Sequence, residues 1–183
     1  MKFGFIMRSM EKQTPFLNKV LSVIDPQGQF TEETLHPVRA APSQSEAVFS
    51  FVRRIEPASA QKEKVLVAGD YDCDGIMATS IMVSGLRSLG LETGFYIPDR
   101  IREGYGLSPS IVRMAAEKGY SLIITVDNGV KALKALEEAE RLSIDVIVTD
   151  HHTMEEDAPC SLTVHPAFME EPFQYLCGAG VAY

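Results

Sequence analysis

Between Lys64 and Thr149 the chain alternates two hydrophobic periods, and that alternation leaves few folds open. "KVLVAG" (64–69), "TGFYIP" (93–98), "SLIITV" (121–126) and "IDVIVT" (144–149) are apolar runs of strand length without regular polar alternation. A strand with no polar face is buried on both sides, as in a parallel sheet covered by helices. The intervening segments "GIMATSIMVSGLRSLG" (75–90), "SPSIVRMAAEKG" (108–119) and "VKALKALEEAERL" (130–142) carry helical spacing. In the second of these, Ser108, Pro109 and Gly119 stand where the N-cap, first helical residue and C-cap belong. Repeated strand, helix, strand predicts an α/β domain: a parallel β-sheet with helices on both faces.

Ahead of this pattern, residues 1–42 are weakly patterned, and Pro15, Pro26, Pro37 and Pro42 interrupt any long helix. "SQSEAVFSFVRRIEPA" (43–58) then has helical spacing, with Ser43 and Glu46 placed for a capping box and Pro57 as its expected end. "PASAQKE" (57–63) is the nearest thing to a linker. The expected division is an extension over 1–60 with one helix, followed by a domain over 61–183. A 183-residue chain that is 45% apolar can bury the core this requires.

Ligands of open parallel sheets bind beyond the carboxyl ends of the strands. Asp70, Asp72 and Asp74 directly follow the first apolar run, Asp127 follows the third, and Asp150, His151 and His152 follow the fourth. One Asp behind a strand ordinarily caps the next helix or makes an Asx turn. Three strands delivering acids and imidazoles to one edge call for a cation, because carboxylates this close repel one another. Carboxylates and imidazoles without thiolate suit Mn²⁺, Mg²⁺, Co²⁺ or Zn²⁺. These five acids and two imidazoles exceed the needs of one ion. Two ions sharing a carboxylate are the usual device for hydrolysing phosphate esters.

The net charge of −8, from 25 acids against 17 bases, makes a poor generic binder of polyanions. A nucleic-acid substrate would have to be reached through bound cations, a local basic patch or another domain. Cys73, Cys160 and Cys177 are odd in number and lack CxxC spacing, so unpaired thiols are expected. No apolar stretch reaches the ~18 residues that span a bilayer. "MKFGFIMRSMEKQTPF" has too short an apolar run for a signal peptide. A cytoplasmic protein with no membrane partner is expected.

"DYDCDG", "VDNG" and "TDHH", in this order and spacing, resemble the first three motifs of the DHH phosphoesterase family. Within it, "GDYDCDG" together with "PDRIREGYGL" (98–107) is similar to the RecJ-type single-strand-specific exonucleases. The resemblance runs from about Val65 to Tyr183 and includes "LCGAGVAY", which matches a Gly-rich turn opening the next helix. It implies a DHH-type catalytic domain over 61–183, belonging to a metal-dependent 5′-to-3′ exonuclease of DNA repair and recombination. The implied cofactors are two divalent cations, Mn²⁺ preferred and Mg²⁺ accepted. The implied partners are single-stranded DNA, held by the full-length protein, and repair proteins.

The resemblance also implies roles. Asp127 resembles the carboxylate that bridges both ions, with Asp74 and His151 on one and Asp70 and Asp72 on or near the other. His152 would face the scissile phosphate, and Asp150 would orient the imidazoles. Asn128 and Gly129 would form the turn after the bridging Asp, with Asn128 also on the substrate side. Arg100, Arg102 and Lys118 are candidate phosphate contacts, and Tyr105 is a candidate to stack on a base. Gly75 would open a helix whose amino end favours anions.

Two departures stand against the family pattern. Its fourth motif, an aspartate further along, has no match, and neither does its C-terminal domain, so the chain is expected to be the amino-terminal portion of a longer protein. "VHPA" (164–167) stands where relatives often have Asn-Pro, and His165 is expected as a satisfied polar residue at a strand end. Two other functions fit the motifs: a small-substrate phosphoesterase acting on short oligonucleotides, or an inactive module that binds a repair or replication partner. Ala68 stands where small-substrate relatives tend to have His.

Overall fold

The computed structural model of the chain describes residues 41–99, 104–154, 159–160 and 162–183, together with positions 23 and 27. Expectations for most of 1–42, and those for Arg100 and Arg102, lie outside the described residues. The chain divides into two compact units, Met1–Pro42 and Ser43–Tyr183. Everything below concerns the second.

Helix α1 (Glu46–Gln61) opens this unit, so the boundary falls at Pro42/Ser43 and not near residue 60. The reason is burial: Ile55 and Ala58 of α1 share a core cluster with Val65 and Val67. The N-cap is Ser45, which accepts from the Val48 N–H. Ser43, the expected cap, instead donates its hydroxyl to Glu170 Oε2 at 2.9 Å. Pro57 does not end the helix. It removes one N–H, but Ile55 and Ala58 hold the helix on either side of it by burial. The stop comes where Lys62 takes φ 56° and the Glu63 N–H returns to the Ala58 carbonyl at 2.9 Å.

The remaining elements follow the expected order. They are β1 (Lys64–Ala68), α2 (Cys73–Ser88), β2 (Glu92–Tyr96), α3 (Pro109–Glu117), β3 (Leu122–Val126), α4 (Leu133–Arg141) and β4 (Asp145–Thr149). A two-residue strand, β5 (Thr163–Val164), two 3₁₀ turns (Pro166–Phe168 and Phe173–Tyr175) and a short α5 (Gly178–Ala182) complete them. Strand β5 ends just before His165, where a strand end was expected, although its two residues are too few to carry a period of their own. None of the described helices is long and apolar enough to cross a membrane. All three cysteines are free thiols.

All five strands are parallel, in the order β2-β1-β3-β4-β5. The chain steps outward from β1 to β2, then returns past β1 and continues the other way. Right-handed crossovers in opposite directions place their helices on opposite faces. Successive residues of one strand also face opposite ways. Val65 and Val67 accordingly pack with α1 and α2, whereas Leu66, Ala68 and Ile123 pack with Ile111, Val112 and Ala115 of α3 and Ala135 and Ala139 of α4. Leu122, Ile123, Ile124 and Val126 of the central β3 are fully buried, each worth roughly 1.5–3 kcal/mol relative to exposure. The direction of travel reverses between β1 and β3. That switch point is where an open α/β sheet leaves a crevice for ligands, and Asp70 and Asp127 follow these two strands.

Candidate metal centre

The β1 end supplies three carboxylates in three different states. Asp70 is buried at 2% exposure. Asp72 is the N-cap of α2, its Oδ1 accepting the Gly75 N–H at 3.0 Å. A Cβ on Gly75 would sit 2.6 Å from Asp70 Cβ and 2.7 Å from its carbonyl oxygen, so α2 can start this close to Asp70 only with glycine there. Asp74 reaches across to α5, its Oδ2 accepting from Gly178 N at 2.7 Å and its Oδ1 from Ala179 N at 2.8 Å. Burial works against its charge, but these two amides, the Cys177 thiol and His151 outweigh it and hold the Asp74 carboxyl below its ordinary pKa.

The β3 end is a strained turn. Asp127 is 2% exposed and has φ 61°, a left-handed conformation that few residues other than Gly, Asn and Asp adopt. Gly129 has φ 124°, and a Cβ there would lie 2.5 Å from Thr125 Oγ1. Asn128 between them is fully buried. Its Nδ2 donates to the carbonyls of Ala68 (3.0 Å) and Val126 (2.9 Å), and its Oδ1 accepts from Leu107 N (3.1 Å). With its amide spent on these bonds and no surface exposed, Asn128 braces β1, β3 and the loop before α3. This corrects the expectation that it contacts substrate.

At the β4 end, Asp150 is 1% exposed and acts as a hub. Its Oδ1 accepts from His151 N (2.7 Å), from His152 N (3.1 Å) and lies 2.7 Å from His152 Nδ1, while its Oδ2 accepts from Val130 N (3.1 Å). Burial opposes charge on His152, but the bond to Asp150, with Asp127 and Asp70 nearby, raises the pKa of its imidazole. The Nδ1–H of His152 is thereby committed to Asp150, which leaves Nε2 as its outward-facing atom.

The three strand ends meet. His151 Nε2 lies 3.0 Å from Asp127 Oδ1 and 3.6 Å from Asp74 Oδ2. The His151 and His152 rings are 4.5 Å apart, tilted by 50°. Two triads each place one ligand atom per residue within 4.8 Å of the others: Asp127, His151 and His152, and Asp70, Asp72 and Asp127. Asp127 belongs to both, as a bridging carboxylate must. Asp74 belongs to neither and stands beside His151, held by the α5 amides. Burial, then the charges of Asp74 and Asp72, push the Asp127 carboxyl up to about 7, with His152 opposing. Its Oδ1 is buried with no hydrogen bond, although His151 lies near. A buried carboxylate ringed by acids and lacking a donor fits a bound cation.

On the open side, the Tyr105 hydroxyl donates to the Asp127 carbonyl at 3.3 Å and lies 3.4 Å and 3.5 Å from the two ring nitrogens of His152. The rings meet edge-on, with centroids 6.0 Å apart. Burial raises the pKa of the phenol, and Asp150, Asp70, Asp127 and Asp72 add to the rise, so it remains a donor. Beside it a cleft of about 250 Å³ is lined by Leu107, Val130, Lys131 and His152. Lys118 is not part of this edge. It caps the far end of α3, where its carbonyl accepts from Lys64 at the start of β1. Two contributions escaped the sequence. The α5 amides on Asp74 are main-chain groups, which residue identity does not reveal, although the Gly-Ala-Gly of 178–180 hints at a close approach. The other is the partner of His165, which is a satisfied polar residue at a strand end as expected, 5% exposed, and bonds to the His152 carbonyl.

The family model "DHH family, N-terminal domain" matches residues 64–183. The chain belongs to the DHH family. It is 44% identical over 133 residues to the single-stranded-DNA-specific exonuclease RecJ of Bacillus subtilis (strain 168), a match that covers 71% of this chain and 17% of that protein. RecJ of Thermus thermophilus is 40% identical over 129 residues, covering 70% of this chain and 19% of that protein. Among solved structures, exonuclease RecJ bound to manganese aligns with a TM-score of 0.69 at 37% identity, over 80% of this chain and 37% of that one. The Thermus thermophilus RecJ in complex with Mn²⁺ aligns with a TM-score of 0.69 at 34% identity, over 83% of this chain and 22% of that one. This DHH chain thus spans about a fifth of the length of the curated relatives it matches.

Proposed function

We propose that residues 43–183 are the metal-dependent phosphodiesterase domain of a RecJ-type exonuclease that degrades single-stranded DNA from its 5′ end in the cytoplasm. One observation carries this: Asp127, at the switch point of the sheet, is common to two ligand triads. Asp70, Asp72 and Asp127 would hold one divalent ion; Asp127 and His151 of the second triad would hold the other, joined by Asp74 3.6 Å from His151 and leaving His152 to face the phosphate, and Mn²⁺ or Mg²⁺ suits such oxygen-rich sets. Bound there, the ions would supply an activated water and offset the charge of the phosphate. The protein's own groups do the rest. In its imidazolium form His152 presents Nε2–H to the phosphate as a donor, while Asp150 accepts from Nδ1–H and stabilises that positive charge. Tyr105, whose O–H is given to the Asp127 carbonyl, offers its exposed ring to a base on the same side. Arg100 and Arg102 are proposed as contacts to neighbouring phosphates. The acidic chain meets a polyanion here through its cations, which removes the conflict with its net charge of −8.

The test is hydrolysis of a 5′-phosphorylated single strand and of a dinucleotide with Mn²⁺, by the wild type, Asp127→Asn and His152→Ala. Mn²⁺-dependent release of nucleotides that both variants lose supports the proposal. Preference for the dinucleotide alone would favour a small-substrate phosphoesterase. Mn²⁺-dependent release that Asp127→Asn and His152→Ala keep at the wild-type rate overturns the catalytic assignment.

A further inference from the structure

We infer that His165 is a positioning residue that aims the His151–His152 pair. The inference rests on the reading of that pair as serving metal and phosphate. His165 directly follows β5, is 5% exposed, and has both ring nitrogens engaged. The Ala167 N–H donates to Nδ1 at 3.0 Å, so Nδ1 carries no proton. The proton is therefore on Nε2, which donates to the His152 carbonyl at 2.9 Å. The ring meets Phe168 edge-on, with centroids 6.1 Å apart, inside the Pro166–Phe168 turn.

These contacts pin His152 from both ends. Asp150 takes the His152 amide and Nδ1, and His165 takes its carbonyl. The two anchors are themselves joined, since β5 pairs with β4 and the Asp150 N–H donates to the Val164 carbonyl at 3.2 Å. With amide and carbonyl both held, the backbone of His152 cannot turn, and the direction of its Cα–Cβ bond is set. Thr153 beyond it is exposed and offers no such restraint. Removing the His165 donor would free the carbonyl and let the pair drift from Asp127. Outer partners of this kind typically govern metal affinity about 10–100-fold.

The two bonds of His165 can be separated by substitution. In His165→Asn the side-chain oxygen can still accept from Ala167, as Nδ1 does, but the reach to His152 is lost. In His165→Gln the amide nitrogen can reach the His152 carbonyl in place of Nε2. The experiment records the imidazole ¹⁵N spectrum of the metal-free chain, its Mn²⁺ affinity by calorimetry and its thermal midpoint. We expect His165→Asn to stay folded, to lose the single-tautomer signature of His152, and to bind Mn²⁺ about tenfold more weakly, with His165→Gln recovering most of that loss. An unchanged His152 spectrum in folded His165→Asn overturns the inference, as does failure of His165→Gln to restore it. Unfolding of both variants would also overturn it, by showing a purely structural role. Asp127→Asn is the separate control: if it keeps full Mn²⁺ affinity, the metal reading fails, while the metal-free spectra still decide on His165.

Discussion

Asp127→Asn should stabilise the metal-free chain at alkaline pH, although it removes the central residue of the site. Asp127 is 2% exposed, and its carboxyl is pushed up to about 7 by burial and by Asp74 and Asp72. The folded chain therefore holds this proton to about pH 7, whereas an unfolded Asp releases it near 3.8. Between those values the folded state binds more protons, so stability falls as pH rises and the full cost is reached above pH 7. A difference of that size corresponds to about 4 kcal/mol at pH 8. Asparagine removes the charge, keeps the shape and tolerates the left-handed φ of 61°. Its amide is still buried beside His151, so about half of the gain should survive, roughly 2 kcal/mol. For a unit of this size that is a rise of about 4–8 °C in Tm. Thermal melts with chelator at pH 8 and pH 5 measure it. The two proteins should differ at pH 8 and approach each other at pH 5. Saturating Mn²⁺ should then raise the wild type and leave the variant unmoved. A variant that melts at or below the wild type in chelator at pH 8 would refute the claim that Asp127 carries an uncompensated buried charge.

Three further outcomes follow from the same geometry. Gly178→Ala should weaken Mn²⁺ binding at least tenfold in a folded chain, because the added Cβ would lie 2.3 Å from Asp127 Oδ1; calorimetry that shows native affinity would contradict the close approach of α5 to the site. Asn128→Ala should cost about 3 kcal/mol in urea unfolding, since three buried backbone groups on Ala68, Val126 and Leu107 lose their partner; a loss below about 1 kcal/mol would show that water replaces the brace. Asp150→Asn should lower the pKa of His152, measurable by NMR titration, because its imidazole loses the carboxylate at 2.7 Å; an unshifted titration would mean that Asp150 does not set its charge.

The order of strands and helices was legible from the sequence because burial on both faces leaves an unmixed apolar run, and helices leave a different period. Runs such as "SLIITV" and "VKALKALEEAERL" have no second interpretation once placed next to each other. The convergence of Asp70, Asp127 and His151 was legible for a topological reason: parallel strands send all their carboxyl ends to one edge, so adjacency in the fold follows from position after a strand. Burial against neighbours, by contrast, is not written in local pattern. Pro57 reads as a helix end, yet α1 runs on to Gln61 because the core claims Ala58 beyond it. Asn128 reads as a polar group beside the site, yet the closing of β1 on β3 brings the Ala68 carbonyl to it and consumes its amide. Asp74 reads as a ligand like Asp72, and only the fold shows that the amides of Gly178 and Ala179, more than a hundred positions away, occupy one lone pair on each of its oxygens. His165 is a lone histidine in sequence and becomes an anchor through a two-residue strand too short to leave a period. Local sequence thus determined which groups reach the edge of the sheet. Tertiary contact decided which of them are left with unspent lone pairs there, because hydrogen-bond partners are assigned by proximity in space and not along the chain.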